Sequence, residues 1–399
     1  MISASTIEKV ASALTSPSPD IPALIADMSD CLTPDDSLRV VRRAASRMNA
    51  DMFPPVTHLE LILTEGCNLA CTYCFEKEML GYRRMSLATA KEAVDLLFDY
   101  SRDAETVRIT HFGGEPTLNF EAIRFVTEYA EEQAALRHKK VEFDTTTNGT
   151  LLTESMVEYF AQHGIMALLS IDGMAQTNNL FRVDKRGFGT FDRVLSGMRL
   201  LKNSQRWVGV KMTVMPENTP RLFEDVKGLY ALGANQFIIG HATGIVWPEN
   251  AIEIYGEQLT LVHAWYQKNK GPDLRITDFD EVPPAKSFFG CQAGRSTIAV
   301  TVDGEISSCS KILALDNKKL LARLGDVRSG VTHLRNRDDL VSCSSLMAAC
   351  HEKGIAEDFQ GGCFASNYSA HQDLFSPNLQ DHQFSILTRS VCSGCSSSR

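Results

Sequence analysis

Residues 65–76, EGCNLACTYCFE, place Cys67, Cys71 and Cys74 in a CxxxCxxC spacing. A loop that short gathers three thiols around one point. Three soft thiolates suit an iron–sulfur cluster or zinc. A closed structural zinc site or an ordinary [4Fe–4S] cluster takes four protein ligands. Three local ligands therefore leave either a distant fourth cysteine or one coordination position open to something else. Further along stand His111-Phe112-Gly113-Gly114-Glu115-Pro116, whose paired glycines let backbone approach a ligand closely because no Cβ intervenes. Thr145-Thr146-Thr147-Asn148-Gly149 carries the Asn-Gly pair of ordinary turn chemistry. Ser170-Ile171-Asp172-Gly173 is followed by Phe181-Arg182 and by Gly187-Phe188-Gly189-Thr190-Phe191. The guanidinium fork of Arg182 has the geometry to meet a carboxylate.

These segments need elements that bring them together. Apolar, strand-like runs occur at 56–63, 107–111, 141–146, 166–171, 208–214 and 236–239, and helical patterns at 87–100, 120–135, 154–163, 191–201, 220–232 and 251–268. Six strands alternating with six helices imply a parallel sheet with helices packed outside it. Successive right-handed units of this kind give a doubly wound sheet or a barrel, open or closed. In either, reacting groups belong at the C-terminal ends of the strands, and each segment above falls at such an end. Residues 1–52 read as a helical segment, with helical spacing at 7–14 and 37–48 around a Ser-Pro-Ser-Pro breaker. Cys31 stands alone there and has no assigned role. Residues 53–270 form the βα unit, and 271–399 a third region, where Pro283-Pro284 interrupts the rhythm and seven of the 11 cysteines fall.

Composition narrows the class. Hydrophobic content of 44% and charged content of 22% are ordinary for a soluble globular chain. A net charge of −9 argues against non-specific nucleic-acid binding and mildly favours a basic or neutral partner. No apolar run reaches membrane-spanning length, and the N-terminus lacks a secretory pattern. The expected location is the cytoplasm, where 11 cysteines serve more readily as metal ligands than as disulfides.

The cysteine spacing followed by Phe75 resembles that of radical S-adenosylmethionine (SAM) enzymes. The resemblance implies a partial (β/α)6 TIM-like barrel. It also implies a [4Fe–4S] cluster held by Cys67, Cys71 and Cys74, its fourth iron chelated by the amino and carboxylate groups of SAM. Reductive cleavage of SAM then yields a 5′-deoxyadenosyl radical. Gly113, Gly114, Glu115 and Pro116 resemble the GGEP motif that holds the SAM amino group. Asn148 matches a TNG segment near SAM. Ser170, Asp172 and Arg182 match the SIDG…R pattern of peptide- and protein-modifying members, Ser170 and Arg182 facing the SAM carboxylate or ribose. Tyr73 and Phe75 join the same cofactor-binding set. An electron donor such as flavodoxin or ferredoxin is implied, with a precursor peptide or protein as substrate and neither nucleic acid nor membrane as partner.

Cys291-Gln292-Ala293-Gly294 leads into a hairpin at 298–306, turning at Asp303-Gly304 and ending near Cys309. This resembles the start of the SPASM extension, a cysteine-rich auxiliary-cluster domain, and Gly361-Gly362-Cys363 resembles its GGC element. A full extension supplies eight ligands for two [4Fe–4S] clusters, whereas this one has seven cysteines, with Thr297 where a second hairpin cysteine is expected. Cys291, Cys309 and Cys363 are expected to share a first auxiliary cluster, one ligand short. Cys343, Cys350, Cys392 and Cys395 are expected to serve a second; a zinc-stapled domain is the alternative. The resulting expectation is a peptide maturase that forms a thioether or carbon–carbon crosslink. Sulfatase maturation is the near rival, disfavoured by Ser310 where that group places an aspartate. A non-catalytic iron–sulfur electron-transfer protein and a zinc interaction module are rivals of other classes. Glu305, Tyr368 and His371 are possible proton handlers near the extension.

Overall fold

The computed structural model describes residues 52–205, 207–280, 291–315, 323–356 and 362–393, with seven isolated positions before residue 52. Of the two N-terminal helices expected, the described positions Val10, Ser37, Val40, Val41 and Ala44 are helical and buried. Positions 37, 40, 41 and 44 have the spacing of one helix face. Cys31, Pro283, Pro284, Gly361 and Cys395 lie outside the described residues.

Six parallel strands follow one another in sheet order as in sequence: β1 (His58–Thr64), β2 (Thr106–Gly113), β3 (Lys140–Thr147), β4 (Ile165–Ser170), β5 (Gly209–Val214) and β6 (Gln236–His241). The intervening helices are α1 (Leu87–Tyr100), α2 (Phe120–Leu136), α3 (Glu154–Gln162), α4 (Ala175–Phe181), α5 (Phe191–Ser204), α6 (Leu222–Leu232) and α7 (Glu249–Asn269). Local chemistry fixes their ends. The Ser86 hydroxyl accepts the Thr89 N–H at 3.1 Å and opens α1, and Thr153 does the same for α3 through the Met156 N–H at 3.3 Å. Gly233, at φ +111°, closes α6 in the left-handed conformation.

The strands alternate, and the alternation decides which face holds the site. Leu59, Leu61, Val107, Ile109, Phe143, Ala167, Leu169, Val210, Met212 and Phe237 are buried beneath the helices. In register on the opposite face stand His58, Glu60, Arg108, Thr110, Asp144, Ser170 and Lys211. A sheet with helices on both sides would read as continuous apolar runs; this one has helices on one side and a polar inner face. Within that face His58 Nε2 lies 2.8 Å from Thr110 Oγ1, and Thr110 donates to Asp144 at 2.7 Å.

The C-terminal region continues the same sheet. After β7 (Arg275–Ile276) and a short α8 (Thr277–Asp280), the hairpin β8 (Thr297–Val300) and β9 (Glu305–Ser307) forms as expected, and β10 (Arg323–Asp326) and β11 (Gly330–Val331) extend it. β8 pairs in parallel with β1, Leu59 opposite Ile298 and Leu61 opposite Val300. The result is an 11-stranded sheet ordered β11-β10-β9-β8-β1-β2-β3-β4-β5-β6-β7. Helices α9 (Ser310–Leu315), α10 (Leu334–Ser342), α11 (Ser344–Glu352), α12 (Phe364–His371) and α13 (Leu379–Ser393) complete the described chain. Among the described residues, no helix is long and apolar enough to cross a membrane.

Candidate active site at the C-terminal ends of the strands

The loop after β1 is held from three sides. The Ala70 and Thr72 amides donate to Val183 O (2.8 Å) and Phe181 O (3.0 Å), and the Glu65 amide donates to Arg83 O at 3.0 Å. Cys67, Cys71 and Cys74 are unpaired and half-buried. Burial pushes the Cys67 thiol up to about 12 and Cys74 up to about 11, and raises Cys71 as well. A bound cation would stabilise such thiols as thiolates. Among the described residues, no three His, Cys, Asp or Glu side chains close on a point the size of one ion. An iron–sulfur cluster does not require that, since each cysteine binds its own iron.

A cavity of about 140 Å³ opens beside these thiols, lined by all three together with Tyr73, Phe75, Gly113, Gly114, Glu115, Asn148, Ser170, Arg182, Lys211 and Thr213. Residues separated by more than 100 positions thus meet where the strands end. Phe75 stacks on Phe112 with ring centroids 6.5 Å apart. Pro116 and Asp172 are buried and do not line the cavity.

The glycines of the GGEP turn line the cavity and also make a close approach within the chain. A Cβ on Gly113 (φ +132°) would lie 2.3 Å from Thr64 O, and one on Gly114 would lie 2.6 Å from Gly66 O. The missing side chains admit the cysteine loop's own backbone. The Gly114 and Glu115 amides donate to Thr64 O (3.1 Å) and Gly66 O (2.8 Å). Glu115 is buried, and its carboxylate accepts four hydrogen bonds: Thr117 N–H (3.1 Å), Thr117 Oγ1 (2.6 Å), Thr147 Oγ1 (2.7 Å) and Asn148 N–H (2.7 Å). Burial raises its proton affinity and those donors oppose the rise. Glu115 thus ties the end of β2 to the end of β3, and Pro116 starts the turn at Pro116–Asn119. Asn148 extends the tie, donating through Nδ2 to Asn68 Oδ1 at 2.9 Å, with Cys67 Sγ 4.0 Å away.

Arg182 is buried and committed. Its Nη2 donates to Asp172 Oδ1 at 3.1 Å and its Nε lies 3.0 Å from Asp172 Oδ2. Tyr73 donates to Asp172 Oδ2 at 2.5 Å, and the Thr213 N–H reaches Asp172 Oδ1 at 2.9 Å. The guanidinium stands over the Tyr73 ring, 5.4 Å from its centroid. Asp172 raises the already high proton affinity of Arg182 against the cost of burial. The sequence offered Arg182 as a carboxylate partner, and the carboxylate it meets is the chain's own. Ser170, in register with Lys211, faces the cavity. Lys211 was not among the residues singled out by motif; its register on β5 was the available signal.

The auxiliary cysteines fall into two groups. Cys291, Cys309 and Cys363 lie within each other's electrostatic reach, and burial raises the thiols of Cys291, to about 11, and Cys309. Cys343 also acts on Cys291; it is buried, sits at φ +54°, and its S–H donates to Leu340 O at 3.1 Å. Of the expected second set, Cys343 lies between α10 and α11, Cys350 on α11 and Cys392 on α13, and Cys395 lies outside the described residues. Glu305 is an ordinary strand residue opposite Asp326. Tyr368 and His371 lie on α12.

Comparison with known proteins places this geometry. Residues 61–229 match the family model of the Radical SAM superfamily, so the chain carries a radical SAM domain, whose family uses a [4Fe–4S] cluster and SAM. An uncharacterized protein, MJ0907, of Methanocaldococcus jannaschii is 32% identical over 182 residues, 46% of this chain and 61% of that one. A cysteine-type anaerobic sulfatase-maturating enzyme of Clostridium novyi is 27% identical over 41% of this chain and 44% of its own length. The antilisterial bacteriocin subtilosin biosynthesis protein AlbA of Bacillus subtilis is 26% identical over 68% of this chain and 59% of its own. The matched regions span roughly half the length of these relatives. Among solved structures, anSMEcpe with bound AdoMet and a Kp18Cys peptide shares the fold at TM-score 0.66, with 19% identity, covering 85% of this chain and 100% of that one.

Proposed function

We propose that the chain is a radical SAM maturase that modifies a ribosomally made peptide, forming a thioether or carbon–carbon crosslink. The observation that carries the reading is the shared cavity, where the three thiols of the CxxxCxxC loop meet the GGEP turn, Asn148, Ser170 and Arg182. In this reading Cys67, Cys71 and Cys74 hold three irons of a [4Fe–4S] cluster, and the donor set fits, being three unpaired thiols on one tethered loop. When bound, cluster and SAM supply the electron and the 5′-deoxyadenosyl radical that removes a hydrogen from a substrate carbon. The protein's part is positioning. Glu115 and Asn148 fix the cysteine loop against β2 and β3, while Asp172 holds Arg182 and Tyr73 as one unit at the cavity wall. Ser170, Phe75 and the 113–116 backbone complete the cofactor surface. Cys291, Cys309 and Cys363 would hold an auxiliary cluster, which would supply a further redox centre; the Ser310 N–H beside Cys309 donates to Glu60 of the inner face. The substrate is a peptide and the reductant a flavodoxin- or ferredoxin-like protein.

Sulfatase maturation is the second reading, favoured by the named relatives of that activity. Against it stands Ser310, whose backbone N–H donates to Glu60 Oε2 at 2.9 Å. The reading is tested by anaerobic reconstitution with iron and sulfide, addition of SAM and a strong reductant, and measurement of 5′-deoxyadenosine. Wild type should form it and Cys71→Ala should not; equal product from both, or no cluster in wild type, overturns the reading.

A further inference from the structure

A second cavity, of about 470 Å³, opens at the C-terminal end of β6, between α7, α8 and α13, with Cys363 on its wall. It shares no lining residue with the cavity beside Cys67, and its volume is that of an ordinary ligand pocket. The wall is aromatic: His241 is stacked on Phe384 with ring centroids 3.9 Å apart, and Tyr255 meets Phe384 edge-on at 5.2 Å. Tyr255 is 3% exposed, and among the described residues its hydroxyl makes no hydrogen bond. Burial, and then Asp278, hold that phenol well above its usual pKa, so it stays neutral. A buried hydroxyl with no partner carries a desolvation cost that a ligand on the same wall would relieve. Asp381 Oδ1 lies 3.3 Å from His241 Nε2, and its Oδ2 has no hydrogen-bond partner among the described residues. The other groups of the wall are engaged: Asp278 Oδ2 accepts the Ile239 N–H at 2.7 Å, Arg389 has interactions within the chain, and the Ser385 and Thr388 hydroxyls donate to carbonyls of α13 at 3.0 and 3.1 Å. Tyr255 Oη and Asp381 Oδ2 remain available to a ligand.

An aromatic wall with two open acceptors, one of them charged, suits a side chain that has an apolar stem and a cationic, donor-rich end. We propose that this cavity binds a basic side chain, arginine or lysine, of the peptide substrate. The proposal rests on the peptide-maturase reading above and deepens it by giving the substrate a recognition site apart from the SAM cavity. The stem lies against Tyr255 and Phe384, and the guanidinium or ammonium donates to Asp381 Oδ2 and Tyr255 Oη. An acidic side chain would meet the carboxylates of Asp278 and Asp381, and an apolar one would bury Asp381 and the Tyr255 hydroxyl without donors. The sign agrees with the charge of −9 on the whole chain. Cys363 on the same wall sets the anchored residue beside the cysteines assigned to the auxiliary cluster.

The test is made on the full chain, reconstituted anaerobically with iron and sulfide and supplied with SAM. Dissociation constants are measured by calorimetric titration for acetyl-Gly-Arg-Gly-amide against its citrulline counterpart, for acetyl-Gly-Lys-Gly-amide against its Nε-acetyl-lysine counterpart, and for acetyl-Gly-Phe-Gly-amide. One charge-assisted contact corresponds to a preference of about tenfold or more for the basic member of a pair. That preference should fall to about twofold or less in Asp381→Asn and persist in Asp381→Glu, which retains the charge and controls for folding. Tyr255→Phe keeps the ring and its packing, and should weaken binding of the preferred basic peptide about fivefold, the loss of one neutral hydrogen bond. Equal binding of basic and neutral members in wild type, tightest binding of the phenylalanine peptide, a preference undiminished in Asp381→Asn, or undiminished binding in Tyr255→Phe overturns the proposal. Wild type that assembles no cluster but keeps the basic preference overturns the radical SAM reading instead and leaves the site standing.

Discussion

At the scale of single residues, the positions that matter most are those whose contacts leave no slack. Gly114 faces Gly66 O at a distance where a methyl group would sit 2.6 Å away, and backbone cannot swing aside as a side chain can. Gly114→Ala should cost about 1–3 kcal/mol, as overpacking does, and reduce iron loading. Urea unfolding and iron content measure both, and a variant with wild-type values for each would refute the chain-to-chain role of this glycine. His111 gives a pH prediction. It is fully buried, stacked on Phe143 with ring centroids 5.8 Å apart, and burial pushes its pKa from 6.5 down to about 3. Between those values the unfolded chain binds a proton that the folded chain refuses. Stability is therefore complete above pH 6.5 and falls as the pH drops toward 3, by up to about 1.4 kcal/mol per pH unit from this group. His111→Phe should flatten that slope in cluster-free protein between pH 6.5 and 4.5; an unchanged slope would mean the native ring is protonated. The motif residues were legible one by one. That Arg182 and Asp172 consume each other was not, because a sequence shows which side chains can pair but not which reach.

At the scale of elements, the alternating strands did most of the work. Their period of two places one apolar face under the helices, and the opposite polar face becomes the floor of the site. The hairpin β8–β9 was readable from Asp303-Gly304, but its parallel seat on β1 was not, because strand partners far apart in sequence leave no local signal. The region after residue 270 therefore read as a separate domain, whereas the sheet runs through it without a break. Ile298, fully buried and opposite Leu59, tests that continuity. Ile298→Ala should cost about 2–4 kcal/mol, in the range of core truncations, and do so in a single transition shared with the barrel. Hydrogen exchange of β1 amides would detect it, and loss of protection confined to β8–β11 would show that the two regions unfold independently.

At the scale of the whole molecule, Arg337 on α10 ties the segment before β1 to the segment before β8. It is 1% exposed, donates to Gly294 O (3.0 Å), Arg295 O (3.1 Å) and Pro54 O (2.8 Å), and stands over the Phe53 ring at 4.9 Å. Burial lowers its pKa to about 10, so it remains charged at neutral pH. No motif marks it; an arginine on a polar helix reads as surface. Arg337→Met keeps much of the volume but orphans three carbonyls, and should cost about 3 kcal/mol or more, because the loss of a buried partner exposes the full desolvation cost. Thermal unfolding measures it, and a change below about 1 kcal/mol would mean the carbonyls find water instead.

The sequence by itself determined the chemistry and the scaffold: three thiols at a fixed spacing, six βα units, and motifs at the strand ends where such sheets place their reacting groups. Those features follow from local rules of spacing, periodicity and turn chemistry, which a linear chain displays directly. Tertiary structure alone decided which groups are spent and which are available. Glu115 is satisfied by four donors of the chain, Arg182 is paired with Asp172, and Cys67, Ser170 and Lys211 are brought to one cavity from distant positions. Such outcomes depend on long-range contacts and on burial, which sets the cost of every unpaired charge, and neither is written in the order of residues.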